Sequence, residues 1–226
     1  MQTIAESIIQ FYTSLKAPVN LPRGVEVLHP QAEEQVLQVV ADFYTRYYSD
    51  HRPRHLLIGI NPGRFGAGTT GVNFTGPKQL TEYCGIQHPF GKRSELSAEF
   101  IYEMIMAYGG VEKFYGRFFI TSVSPLGFTK NGINLNYYDD PLLASSLRPW
   151  IIEMFKQQLA FTGNQQACVC IGGEKNYKYL KNINDECRFF KHILPVAHPR
   201  FIMQYRRKQK ESFVQKYLSV LAQLGH

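Results

Sequence analysis

Apolar positions along this chain recur at two spacings, and the alternation between them predicts the architecture. Residues 2–16 carry Ile4, Ile8, Ile9, Phe11, Tyr12 and Leu15 near helical spacing. Ala17-Pro18-Val19-Asn20-Leu21-Pro22-Arg23-Gly24 is rich in breakers and reads as a linker. A second helix is predicted over 31–49, with Val36, Val40, Phe43, Tyr44 and Tyr47 on one face. Further helices are expected over 97–108 (Ile101, Met104, Ile105, Tyr108), 141–160, from Gly173 to about 182, and 203–223. Between them lie short, continuously apolar runs at 55–60, 117–123, 166–171 and 189–197. Residues 131–140 read as loop. Uninterrupted apolar strands alternating with helices predict an α/β fold with a four-stranded parallel sheet covered on both faces.

In such a sheet the working crevice lies beyond the carboxyl ends of the strands. Four stretches end there: Asn61 to Gly63, Thr121 to Pro125, Gly172-Gly173 and His198 to Arg200. The first follows Leu56-Leu57-Ile58-Gly59-Ile60, an apolar run that stops at an amide, Asn61, then Pro62 and Gly63. Its loop holds two phosphate-motif look-alikes. Gly66-Ala67-Gly68-Thr69-Thr70-Gly71 matches GxGxxG, but the strand ends five residues earlier and Glu82 and Glu95 fit the ribose-binding distance poorly. Gly63 to Thr70 nearly matches a P-loop, but Thr69 stands where the phosphate-binding lysine belongs. The glycines are better read as turn formers.

Composition narrows the partners. The chain has 226 residues, 44% hydrophobic and 19% charged, in line with one globular domain. Residues 1–50 are expected as a helical extension packed on that domain. A net charge of +7 favours a polyanion, either nucleic acid or an anionic membrane surface. No apolar run approaches the roughly 20 residues of a membrane span, and no signal peptide is visible, so a cytoplasmic location is expected. Cys84, Cys168, Cys170 and Cys187 lack CxxC spacing and read as ordinary thiols, with no metal expected.

Two residues at strand ends carry candidate chemistry. Asn61 before a proline is either an Asx-type turn former or an uncharged amide that orients a water. His198, also before a proline, is either structural or a proton donor across the crevice from Asn61. From His198 to Lys210 there are five cations (Arg200, Arg206, Arg207, Lys208, Lys210) and no acid, interleaved with Phe201, Met203 and Tyr205. Either this is a solvated helix start, or it grips phosphates and wedges bases. The second reading gains weight because cations are unfavourable near a helix N-terminus.

Gly59-Ile60-Asn61-Pro62-Gly63-Arg64-Phe65-Gly66 with Thr70-Gly71-Val72-Asn73-Phe74 resembles the first motif of the single-strand-selective monofunctional uracil-DNA glycosylases. His198-Pro199-Arg200 resembles a shortened form of their second motif, HPSPR. Phe119-Ile120-Thr121-Ser122-Val123-Ser124-Pro125-Leu126 falls where they have the central base-reading strand. The resemblance runs from about residue 55 to the end, as a divergent bacterial-type branch, and implies a three-layer α/β/α fold. It implies a hydrolase that flips uracil out of DNA and cleaves its N-glycosidic bond, without metal or cofactor. By position, Asn61 would hold the water and His198 would donate to the departing base. Gly63 and Phe65 would help hold the base, and Phe74 would stack on it. Arg200, Phe201, Arg206, Arg207 and Lys208 would form a DNA-gripping loop. Where the family reads the uracil edge with asparagine, this chain has Ser122, whose hydroxyl can donate or accept; Ser124 or a water is the alternative reader.

The resulting expectation is a monomeric, monofunctional DNA repair glycosylase acting on uracil in single- and double-stranded DNA. No lysine at the strand ends is placed for a lyase step. Whether hypoxanthine, xanthine or 5-substituted uracils are also excised stays open. The alternatives are a nucleic-acid-binding protein on the same fold without catalysis, and a nucleoside or nucleotide hydrolase.

Overall fold

The computed structural model describes residues 2–91, 93 and 95–224. In chain order the elements are α1 (Ile4–Ser14), β1 (Val25–Leu28), α2 (Glu34–Tyr48), β2 (Arg54–Gly59), α3 (Ala67–Thr70), α4 (Pro77–Glu82), α5 (Leu96–Tyr108) and α6 (Val111–Tyr115). They continue with β3 (Phe118–Ser122), β4 (Gly127–Lys130), β5 (Ile133–Leu135), α7 (Pro141–Thr162), β6 (Gly163–Ile171), α8 (Gly173–Cys187), β7 (His192–Val196), α9 (Pro199–Tyr205) and α10 (Lys210–Ala222).

The core is a four-stranded sheet in the order β3-β2-β6-β7, parallel throughout. All five residues of β3 are buried, as an apolar strand covered on both faces requires. Consecutive side chains serve opposite layers. Phe119 meets Tyr44 and Tyr48 of α2 and Phe161 of α7, while Phe118 meets Tyr108 of α5 and Phe114 of α6. This is the expected α/β/α layering. The expected N-terminal helices are present, with α1 packing on α2 and α7.

Three expectations need correction. Residues 127–135 form a β-hairpin that takes in the first part of the expected 131–140 loop, closed at Asn131-Gly132, both with positive φ (52° and 69°). That dihedral pair fits a two-residue hairpin turn. With β1, which directly follows the expected linker, the hairpin makes a second, antiparallel sheet in the order β1-β4-β5. The N-terminal extension is therefore not purely helical. Finally, the expected 203–223 helix is two helices. His198 caps α9 through an Nδ1 that accepts from Arg200 N–H at 3.1 Å, and Pro199 supplies the first helical residue. Arg206 then leaves helical geometry before a short 3-10 turn at 207–209 and α10.

Neither phosphate motif opens a long helix. The GxGxxG glycines surround only the four-residue α3. Gly68 serves close approach: its N–H donates to Gly63 O at 2.8 Å, and a Cβ there would lie 2.2 Å from that oxygen. The described cysteines are free; Cys84, Cys168 and Cys170 are buried and Cys187 is partly exposed.

Candidate active site

Beyond the carboxyl ends of the four central strands lies a pocket of about 410 Å³. Asn61 enters from β2, Ser122 from β3, Gly172 from β6 and His198 from β7. Gly63, Phe65, Phe74, Arg200 and Phe201 line it as well. Strand ends 137 residues apart in sequence thus share one cavity, as the sheet order dictates.

The Asn61 amide has a fixed orientation. Its Oδ1 accepts from Tyr137 N–H at 3.1 Å, and its Nδ2 donates to Leu135 O at 3.3 Å and Pro62 O at 3.2 Å. All three partners are backbone groups of unambiguous polarity. One lone pair of Oδ1 remains for a water. Two of the three partners come from the end of the β4–β5 hairpin, so the hairpin positions the amide. Asn134 adds to this: its Oδ1 accepts from Arg64 N–H at 3.0 Å and holds the 62–66 loop.

His198 is neutral at physiological pH. Burial, helped by the nearby Arg200 charge, pushes its pKa down from 6.5 to about 4. Because Nδ1 accepts the Arg200 N–H, the neutral ring carries its proton on Nε2. The site therefore contains an imidazole that donates without being charged. Arg200 sits in the first turn of α9, where the helix dipole disfavours a cation. Glu95 Oε1 lies 3.7 Å from its guanidinium and offsets that cost. Glu95 also caps α5, accepting from Ala98 N–H at 2.9 Å, and so ties α5 to α9 across the pocket wall.

Phe74 lies beside His198, with ring centroids 5.9 Å apart. Its φ of 52° is unusual for a bulky residue. Gly59 makes room for the ring: a Cβ there would lie 2.7 Å from Phe74 Cε2. Ser122 is nearly sealed, and its hydroxyl donates to Asn73 Oδ1 at 2.7 Å.

Not every expected residue reaches the pocket. Ser124 is fully buried and its hydroxyl donates to Leu126 O at 2.7 Å, so it does not line the cavity. Arg206, Arg207 and Lys208 are exposed beyond the rim, on the end of α9 and the short turn after it rather than on an open loop. Arg206 stacks over Phe201 at 5.5 Å. Lys210, the last cation of that run, is tied to Glu103 at 2.6 Å. The residues that sequence reasoning missed are Asn73, Glu95, Asn134, Asn136 and Tyr138. The Asn131-Gly132 pair is a hairpin signal that would have carried Asn134 and Asn136 to the site; Glu95 has no comparable signal beyond preceding an apolar helix.

A family model described as the uracil DNA glycosylase superfamily matches residues 45–222. Among solved structures, the crystal structure of wild-type SMUG2 from Pedobacter heparinus is 42% identical, with a TM-score of 0.96 over 99% of each chain. That similarity includes the first 50 residues, which no sequence motif covers. No curated protein matched. A family match over most of the chain, and 42% identity over nearly all of it, show that this protein belongs to the uracil DNA glycosylase superfamily, as a SMUG-like member.

Proposed function

We propose that this protein removes uracil from DNA by hydrolysing its N-glycosidic bond and leaves an abasic site. The carrying observation is the pairing, in one pocket, of a backbone-locked amide with a neutral imidazole whose free proton sits on Nε2. Breaking the C1′–N1 bond leaves its electron pair on the base, which departs as an anion, while the sugar becomes electron-poor. His198 Nε2–H donates to a carbonyl oxygen of the base as that charge grows. A neutral donor suits this role, because it stabilises the anion without needing to be reprotonated at each turnover. Asn61 Oδ1 orients a water toward C1′; the water's oxygen forms the new bond and its proton leaves to solvent. Phe74 stacks on the flipped base, Gly63 and Phe65 close around it, and Ser122 contacts its edge.

The surroundings support a polymeric substrate over a free nucleoside. Phe65, Phe201 and Tyr205 are 41%, 43% and 67% exposed around the pocket mouth, an outlay of apolar surface that a small substrate does not need. Arg200 lines the pocket, Arg206 lies over Phe201, and Arg207 and Lys208 are exposed on the following turn; together they would hold phosphates. Among the described residues no lysine lines the pocket, which supports hydrolysis without a lyase step.

The test is excision from uracil-containing oligonucleotides, single- and double-stranded, with hot alkali revealing abasic sites. Wild type should cleave, and Asn61→Ala should be slower by about 10²-fold or more. Salt-dependent DNA binding without base release would instead identify a binding protein, and release from free deoxyuridine alone a nucleoside hydrolase.

A further inference from the structure

We infer that Asn73 is a positioning residue that makes Ser122 an obligate hydrogen-bond acceptor, so that the pocket selects bases presenting a ring N–H. This deepens the proposed glycosylase reading and rests on it. A serine hydroxyl carries one proton and two lone pairs. Here the proton is committed: Ser122 Oγ donates to Asn73 Oδ1 at 2.7 Å, with the two residues 2% and 5% exposed. At that burial, withdrawing the proton from Asn73 strands a buried acceptor with no water to replace it. A ligand in the pocket therefore meets only Ser122 lone pairs.

The Asn73 side-chain amide is held at both ends, its Oδ1 by Ser122 Oγ and its Nδ2 by Tyr12. Its Nδ2 faces the Tyr12 hydroxyl at 3.4 Å, Tyr12 itself being buried in the α1 layer. The Asn73 backbone carbonyl accepts from Thr75 Oγ1 at 3.2 Å, which fixes the main chain beneath the amide. Its neighbour Phe74 supplies the stacking ring, so the base's face and edge are set by adjacent residues.

The chemistry of the edge then decides. Uracil carries a donor at N3, and cytosine carries a lone pair there. Against an acceptor-only Ser122, uracil N3–H forms a bond, whereas cytosine N3 meets lone pair with lone pair. A serine free to rotate its proton would accept either base. Asn73 thus restores discrimination that the Ser122 side chain alone cannot supply.

The test uses full-length protein and oligonucleotides carrying 2′-fluoro-arabino-uridine or 2′-fluoro-arabino-cytidine, which resist hydrolysis. The readout is the ratio of the two dissociation constants, beside kcat and KM for uracil excision and a thermal melt. Asn73→Leu should reduce the uracil-over-cytosine ratio at least tenfold, with KM for uracil rising more than kcat falls. Asn73→Asp keeps an acceptor toward Ser122 and should retain most of the ratio. Ser122→Ala should lose it, and it serves if Asn73→Leu does not fold. An unchanged ratio in a folded Asn73→Leu, or in Ser122→Ala, overturns the inference. So does an Asn73→Asp ratio as low as that of Asn73→Leu, since the amide N–H would then have faced Ser122. Wild type unable to excise uracil at all would strike the glycosylase reading itself, a different result from active wild type with insensitive ratios.

Discussion

His198 is a histidine built not to titrate near neutrality. With its pKa pushed to about 4, its protonation in the free enzyme should leave no inflection near 6.5. The kcat/KM for excision, followed from pH 8 to pH 4, is expected to stay level through 6.5 and fall only below about 5; an inflection near 6.5 would mean the ring is solvated. The stability sign follows from the same shift. Below 6.5 the unfolded chain takes up a proton that the folded site resists until about 4, so His198 lowers stability as pH falls across that window. Gly59 offers a second residue-level test. Gly59→Ala drives a methyl against the Phe74 ring, so activity should drop at least about tenfold while stability falls by about 1–3 kcal/mol. Excision and urea unfolding measured together check it; full activity would mean that the ring's position does not matter for the base. Asn61, Gly63 and His198 were legible in the sequence because they sit beside prolines at the ends of apolar runs, whereas Phe74 came only from the family resemblance. Asn73 was not, because its role rests on a contact to Ser122, 49 positions away. Ser124 shows the converse: a hydroxyl at the right strand end turned inward to a neighbouring carbonyl.

At the level of elements, β2 is anchored at one end so that it can present Asn61 at the other. Arg54 opens the strand fully buried, with Nε donating to Tyr115 O at 2.8 Å and Nη2 to Asp50 Oδ2 at 3.0 Å; Nη1 donates to Arg52 O. Burial alone would raise the Asp50 pKa, but hydrogen bonds from Arg54 and Arg52 outweigh it and bring it to about 2. That stabilisation is present above 3.8 and is lost as pH falls through about 2. Arg54→Ala should cost about 1–3 kcal/mol, because it leaves the Tyr115 and Arg52 carbonyls without their donor, while Asp50 keeps its bonds from Arg52. Chemical denaturation measures it, and a loss under 1 kcal/mol would remove the anchor from the account. The four central strands and most helices were legible, since their apolar periodicity is uninterrupted. The hairpin was not: β4 and β5 are four and three residues long, too short for periodicity to register. Yet Leu135 of β5, with Tyr137 just beyond it, holds the Asn61 amide. The α9–α10 break was hidden because both helices present apolar residues inward, and only Arg206 and the short turn at 207–209 separate them.

At the scale of the molecule, Arg200 and the exposed aromatics Phe65, Phe201 and Tyr205 line one opening, and Arg206 lies over Phe201. Binding to single-stranded oligonucleotides should weaken steeply with salt, and Arg206→Ala, Arg207→Ala and Lys208→Ala should each lower the log–log slope by about 0.7. Fluorescence anisotropy across a salt series checks this; unchanged slopes would place the phosphate track elsewhere. The charge balance alone left membrane and nucleic acid as equal partners, and no described helix is long and apolar enough to cross a membrane. The pocket, which exists only once four strand ends are assembled and which Arg200 lines, favours the nucleic-acid reading.

The most direct test of the central claim is single-turnover release of uracil from a single-stranded oligonucleotide by wild type, Asn61→Ala and His198→Ala, each shown to be folded. The account predicts uracil release by wild type and losses of about 10²-fold or more in each variant. No uracil release by wild type, or undiminished release by Asn61→Ala, would contradict it.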